Sequence, residues 1–374
     1  MRKWKWLTLL IASSMLLGGC AMGGASGTKT TQGIAALDDG NYTQAQQDAR
    51  EKMWRSNFYV SSTTAYPQQQ QLFEEAVQED EEQMLAWRGL GLADMGLAQY
   101  EDAETAFQNA LDAADEKMPE NTQDLKLYLA AVEYRLAEYE KTIDTCTEIL
   151  DAQEKGVADA YYLRGAAQLH EGNQEDAKAD FDSAVKLMPD DYDLYLNIYE
   201  TYREMNLSAV GGEYLQSALA IEGTEQEDYY NRGRIYFYLG DYDKAQSELI
   251  KVVEQKYEPA MTLMGRVYLA QEDYDHAEAV YETMQSEFGE SAAGYNGMAL
   301  CALARGEYDT ALEEIGKGLA LDGTDDRQEL YFNEIVAYER KLDFETAKAK
   351  AEAYMEKYPS DEAGQKEWTF LKTR

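Results

Sequence analysis

The sequence predicts an all-α fold, a solenoid of stacked antiparallel helix pairs. Three observations carry that expectation. A small residue recurs about every 34 positions, and a large apolar residue follows it four positions later. Stretches of about twelve residues keep apolar side chains at i, i+3, i+4 and i+7, the stripe of an amphipathic helix. Short turns such as Gly240-Asp241-Tyr242 and Gly306-Glu307-Tyr308 join these stretches in pairs. No single hairpin can bury its apolar face alone, so neighbours must stack.

At the N-terminus, Arg2, Lys3 and Lys5 precede an apolar run from Leu7 to Leu17. A bilayer-spanning helix takes roughly 20 apolar residues, so this run has the length of an export signal instead. It ends Leu17-Gly18-Gly19-Cys20, an aliphatic residue, two small ones and Cys. That order resembles the lipobox of bacterial lipoproteins. The resemblance implies cleavage before Cys20, lipidation of its sulfur and residence on the extracytoplasmic face of a bacterial membrane. Residues 1–19 are then the signal peptide, and 20–33, small and polar, the lipidated flexible tether.

Residues 34–83 read as irregular or degenerate repeats. Gly33, Gly40, Tyr42 and Ala45 fit one copy, and Phe73 and Ala76 fit the second helix of another. Residues 54–71 lose the register, which predicts an irregular connection there. From 84 to 359 eight copies keep it. Their small residues are Ala103, Thr142, Ala177, Gly211, Ala245, Ala277, Ala311 and Ala347. Twelve residues upstream stand Gly91, Ala130, Gly165, Tyr199, Gly233, Gly265, Ala299 and Ile335. Four downstream stand Phe107, Cys146, Phe181, Leu215, Leu249, Tyr281, Ile315 and Ala351. Residues 360–374, with Trp368 and Phe370, are expected as a capping helix that shields the last pair from water.

Aromatic, Gly/Ala, Ala, then a large apolar residue: this pattern resembles the tetratricopeptide repeat. Pro189 and Pro359 stand where that family often ends its second helix, because Pro lacks the N–H a helix needs. The resemblance implies a right-handed superhelix with a concave groove lined by the first helix of each pair. It also implies a partner that is a protein or an extended peptide.

Composition narrows the chemistry. With 34 Lys+Arg against 71 Asp+Glu the formal charge is −37, which disfavours nucleic acid and bare anionic membrane alike. Attachment to a membrane is therefore expected through the lipid anchor only. Two His and three Cys leave little for a zinc site or a disulfide framework. No His-Glu-x-x-His, phosphate-cradling loop or Gly-x-Ser-x-Gly elbow is present, so the chain reads as a non-enzyme without cofactor or catalytic residues. No carboxylate run has calcium-loop spacing, and no metal site is expected. Cys146 and Cys301 read as small core hydrophobes, and His170 and His276 as surface or turn residues.

Carrying the family's groove positions over by register gives Tyr162, Ala166, Leu169, Leu196, Asn197, Glu200, Arg203, Tyr230, Asn231, Arg234, Phe237, Arg266, Leu269, Asn296, Gly297, Leu300, Phe332, Asn333 and Val336. The peptide-binding candidates among them are Asn197, Arg203, Tyr230, Asn231, Arg234, Phe237, Arg266, Phe332 and Asn333. Arg donors and Asn amides can hold a carboxylate or a peptide backbone, and aromatic rings can cover side chains. The expected function is a lipid-anchored scaffold in envelope complex assembly, a monomer or weak homo-oligomer. The alternative is a glycan- or solute-binding lipoprotein that stacks sugars on groove aromatics such as Trp87.

Overall fold

The computed structural model describes residues 65–79, 84–114, 119–152, 157–254, 256–321, 327–358 and 361–374. The leader, Cys20, the tether and the copy at Gly33 to Ala45 lie outside the described residues. Among the described residues there are eighteen helices and no strand. A single helix α1 (Ala65–Glu79) comes first. Eight pairs follow: α2 (Met84–Gly96) with α3 (Tyr100–Asp112), α4 (Pro119–Arg135) with α5 (Tyr139–Asp151), α6 (Ala158–His170) with α7 (Gln174–Leu187), α8 (Tyr192–Glu204) with α9 (Ser208–Ala218), α10 (Gln226–Tyr238) with α11 (Tyr242–Val253), α12 (Glu258–Ala270) with α13 (Tyr274–Phe288), α14 (Ala292–Arg305) with α15 (Tyr308–Ala320), and α16 (Gln328–Arg340) with α17 (Phe344–Lys357). Helix α18 (Glu362–Leu371) closes the order.

The irregular connection expected over 54–71 gives way to helix from Ala65 onward. Pro67 sits in the first turn, where a missing N–H costs nothing, and a run of four Gln after it favours helix. Phe73 and Ala76 are fully buried on α1 and pack with Ala86 and Leu90 of α2, as a second helix should.

The eight register positions explain the pairing. All eight small residues and all eight large ones are buried. Where the first helix carries Gly, the large residue of the second fills the vacated space. A Cβ on Gly91 would stand 2.7 Å from the Phe107 ring, on Gly233 2.6 Å from Leu249 and on Gly265 2.3 Å from Tyr281. The α8/α9 pair inverts this order. Tyr199 replaces the Gly on the first helix, and the small position opposite is Gly211, whose Cβ would meet the Tyr199 backbone at 3.1 Å.

Hydrogen bonds fix the ends and the pairs. Asp191, Asp241, Asp273, Ser291, Asp343 and Asp361 accept from backbone N–H groups one turn into the helices they begin. Arg164 of α6 grips Asp180 of α7 with two bonds of 2.8 and 2.9 Å, and Arg232 of α10 binds Glu248 of α11 at 2.9 Å.

The described chain forms two compact units, divided between Tyr214 and Leu215 within α9. In the second unit α18 packs on α17, and Leu371 enters a core with Ile335, Ala347, Ala351 and Tyr354. It caps the last pair as expected. Among the described residues no helix is long and apolar enough to cross a membrane.

Candidate functional site

Neighbouring first helices touch one another from α4 to α8 in the first unit and from α10 to α16 in the second, and α2 reaches α4 through the Arg88–Asp124 ion pair, so within each unit their outward positions form a continuous face. Three positions per first helix build it: one residue after the register aromatic, and four and seven further on. In the first unit seven of those twelve residues are buried: Leu92, Met95, Ala131, Tyr162, Ala166, Leu169 and Leu196. Tyr162, Ala166, Leu169 and Leu196 are therefore packed away from any ligand, contrary to the expectation from register. Tyr162 Oη lies 3.3 Å from Thr201 Oγ1, and its ring meets Phe181. The bulk of Tyr and Leu at adjacent first helices closes the space between them.

His170 departs from expectation too. It is half-buried, with Nε2 3.0 Å from Tyr134 Oη and its ring stacked on Tyr139 at 4.4 Å. Burial, chiefly, pushes the Tyr134 hydroxyl well up. His276 is exposed at the start of α13, as a turn residue should be, and pairs with Asp273. Asn197 is half-buried, and its carbonyl accepts from Thr201 Oγ1 at 2.9 Å. Arg203 is exposed and donates from Nε to Glu200 at 2.6 Å.

In the second unit one of the twelve positions is buried, Asn296. The rest are half-buried or exposed: Tyr230, Arg234 and Phe237 on α10, Thr262, Arg266 and Leu269 on α12, Leu300 and Leu303 on α14, and Phe332, Val336 and Glu339 on α16. Asn231, 5% exposed, accepts from Arg234 Nη1 at 3.0 Å. Arg234 in turn lies over the Tyr230 ring, 5.6 Å from its centroid, and Tyr230 meets Tyr257 edge-on. This cluster aims the Arg234 guanidinium and covers one Tyr230 face. Phe237 packs against Tyr238 and Tyr242.

Arg266 differs from these. It is exposed and forms no ion pair among the described residues. Arg88, Arg164, Arg203, Arg232 and Arg305, by contrast, each hold a carboxylate. Beyond Arg266 lies an amide relay. Asn333 Nδ2 donates to Asn296 Oδ1 at 2.7 Å, and Asn296 Nδ2 donates to Glu329 at 2.7 Å. Phe332 borders it, edge-on to Tyr354. Beneath, Tyr281 is buried between Gly265 and Gly297, and its hydroxyl is pushed up by desolvation while Arg266 pulls it back. The face thus offers a cation, an amide pair and the aliphatic surface of Leu269, Leu300 and Val336.

Asn296 stands among the register positions but not among the peptide-binding candidates, and Glu329 among neither. The signal for them is positional: Asn296 occupies the place of Tyr162 and Tyr230 in its repeat, and a buried amide there must find partners. Cys146 and Cys301 are buried free thiols, as their register predicted, and burial pushes the Cys301 thiol up to about 12. Among the described residues no group of three or more His, Cys, Asp or Glu is placed to hold a metal ion.

Models of the tetratricopeptide repeat match residues 158–191, 229–259 and 262–327. BBSome complex member BBS4 of Bos taurus is 24% identical over 166 residues, 44% of this chain and 32% of that protein. Mitochondrial import receptor subunit TOM70 of Homo sapiens is 26% identical over 139 residues, 36% of this chain and 23% of that protein. The chain thus spans about a third or less of the curated relatives it matches. Among solved structures, yeast Tom70 aligns with 86% of this chain and 65% of its own, at 15% identity and a TM-score of 0.55. The fold is a tetratricopeptide-repeat solenoid of stacked antiparallel helix pairs.

Proposed function

We propose that the chain is a non-enzymatic scaffold that binds an extended segment of a protein partner on the first-helix face of its second unit. The observation that carries this reading is the openness of that face beside Arg266, in a chain whose first unit buries most of the equivalent positions. Arg266 takes a carboxylate of the partner, the half-buried Asn333, held by buried Asn296, meets its backbone, and Leu269, Leu300 and Val336 accept an apolar side chain. Arg suits the first task because its planar fork binds carboxylates bidentately. No nucleic acid fits so acidic a chain. The glycan alternative finds less support, since Arg234 already occupies a face of Tyr230.

The reading extends to the cell. Acylation of Cys20 would hold the scaffold on the extracytoplasmic face of a bacterial membrane, where it serves assembly of an envelope complex. The lipobox pattern supports this, and two acyl chains bind a bilayer far more firmly than one.

Crosslinking with mass spectrometry in native membranes tests the binding face. Arg266→Glu is expected to lose a specific partner that the parent retains, and Arg234→Glu to weaken it. An unchanged set of partners in both variants retires the proposal. Fatty-acid labelling tests the anchor separately: Cys20→Ser should abolish incorporation.

A further inference from the structure

Each of the eight helix pairs turns through one residue at positive φ: Ala98, Ala137, Gly172, Asn206, Gly240, Glu272, Gly306 and Leu342, at 56° to 81°. This left-handed region suits Gly and Asn and strains a bulky side chain. Seven turns use Gly, Ala, Asn or Glu. The last uses Leu342, at φ 64°, and leaves it 74% exposed. Leu342 thus carries a conformational penalty and a hydration penalty, and nothing inside the fold recovers either.

Its surroundings are consistent with a built contact. Phe370, 42% exposed, and Phe344 lie either side of the Arg374 guanidinium, whose carbon is 4.6 and 5.2 Å from their ring centroids. Leu342 itself forms one wall of a shallow depression of about 420 Å³ between adjacent turns, whose other walls include Glu307, Tyr308, Asp309, Arg340 and Lys341. An apolar knob on the rim of a depression is what a two-fold contact needs, since each copy must offer both halves.

Charge selects the occupant. Residues 340–374 carry eight cationic side chains against seven acidic ones, whereas the other 339 carry 26 against 64. Two copies of a chain of −37 repel each other over most of their surface, and this end is where they meet without that cost. Arg340, exposed and with no ion pair among the described residues, would face Glu307 of the second copy, since Asp309 already holds Lys341.

We infer that two copies of this chain associate through the turn between α16 and α17, each inserting Leu342 into the depression of the other.

Sedimentation of the full chain in roughly 0.3 M salt, where the Debye length is about 6 Å, tests it over micromolar to submillimolar concentration. A monomer–dimer equilibrium is expected, weakened at least tenfold by Leu342→Asp and by Leu342→Gly. Thermal melting at a concentration where the chain is monomeric supplies a second readout. Leu342→Gly relieves the positive φ and should raise Tm by roughly 2 °C. Gain of stability with loss of association is what a purely structural leucine does not produce. A benzophenone on Leu342→Cys, in mixed light and heavy isotope copies, should crosslink to residues 306–310 of the other copy. A chain monomeric throughout, a dimer indifferent to both variants, crosslinks confined to one copy, or a Leu342→Gly chain less stable than its parent overturns the inference.

Discussion

The two units build the same helix pairs and use their first helices differently. In the first, Tyr162, Ala166, Leu169 and Leu196 fill the spaces between neighbours, and most of the face is part of the core. In the second, the equivalent places hold Tyr230, Arg266, Leu269, Leu300 and Val336, which stop short of closing it. The register that builds a pair, Gly or Ala against a large residue, is silent about this outward face. Repeat identity therefore specifies the stack, while the positions outside the register specify whether a unit's outward face is closed or open.

Truncation of matched leucines is the strongest way to break that contrast. Leu169→Ala in the first unit empties a fully buried site and should cost about 2–5 kcal/mol. Leu269→Ala, at the same repeat position in the second, removes half-buried surface and should cost about 1 kcal/mol or less. Urea unfolding, with hydrogen exchange to assign each loss to a unit, measures both. Equal costs would mean that the two faces are equally closed.

Acidity should separate the units next. Asp94 and Glu133 occupy one repeat position, three residues after Gly91 and Ala130, where later copies carry Tyr202, Tyr236, Tyr268 and Tyr338. Both are buried, and both are pushed up to about 7, by desolvation above all. Gln70 and Thr145 donate one hydrogen bond each and pull the other way, while Asp102 and Glu74 push Asp94 up, and Glu104 and Glu138 push Glu133 up against Lys141. A carboxyl that ionises near 4 when unfolded and near 7 when folded holds its proton longer in the native state. Its stabilising share is complete below about pH 4 and is lost as pH climbs to about 7. Asp94→Asn and Glu133→Gln should flatten that slope and strengthen the first unit at pH 7, each by on the order of 2 kcal/mol. The second unit has a comparable group in Glu339, raised to about 7 by desolvation and by Glu367, at its capping helix. Exchange rates of first-unit amides at pH 5 and 7.5, parent against variants, read the difference.

How much of this was legible in the sequence follows from the same division. Period, pairing and capping were readable because each rests on a volume match within sixteen residues, such as Gly265 with Tyr281. Even the inverted pair at Tyr199 and Gly211 kept its place by spacing. Burial of the outward face was not readable, because Tyr162 and Tyr230 are the same residue at the same position. Their fates differ through the residues of neighbouring repeats: Thr201 meets the Tyr162 hydroxyl, whereas Arg234 and Tyr257 hold Tyr230. The start of α1 was missed because a Pro in the first turn reads as a break when the register is lost.

The smallest expected effect on stability is the most specific for function. Arg203 and Arg266 are both exposed arginines on first helices, in the first and second unit respectively. Arg203 spends its charge on Glu200 three residues before it, an exposed pair whose loss should cost under about 0.5 kcal/mol. Arg266 has no such pair among the described residues, so Arg266→Ala should change stability by no more than about 0.5 kcal/mol either way. Melting curves should not tell the two variants from the parent. Partner capture should: Arg266→Ala is expected to weaken it about tenfold, the worth of one charge-assisted contact, and Arg203→Ala to leave it unchanged. If both variants bound alike, the open face of the second unit would be a feature of packing and the partner would have to be sought on another surface.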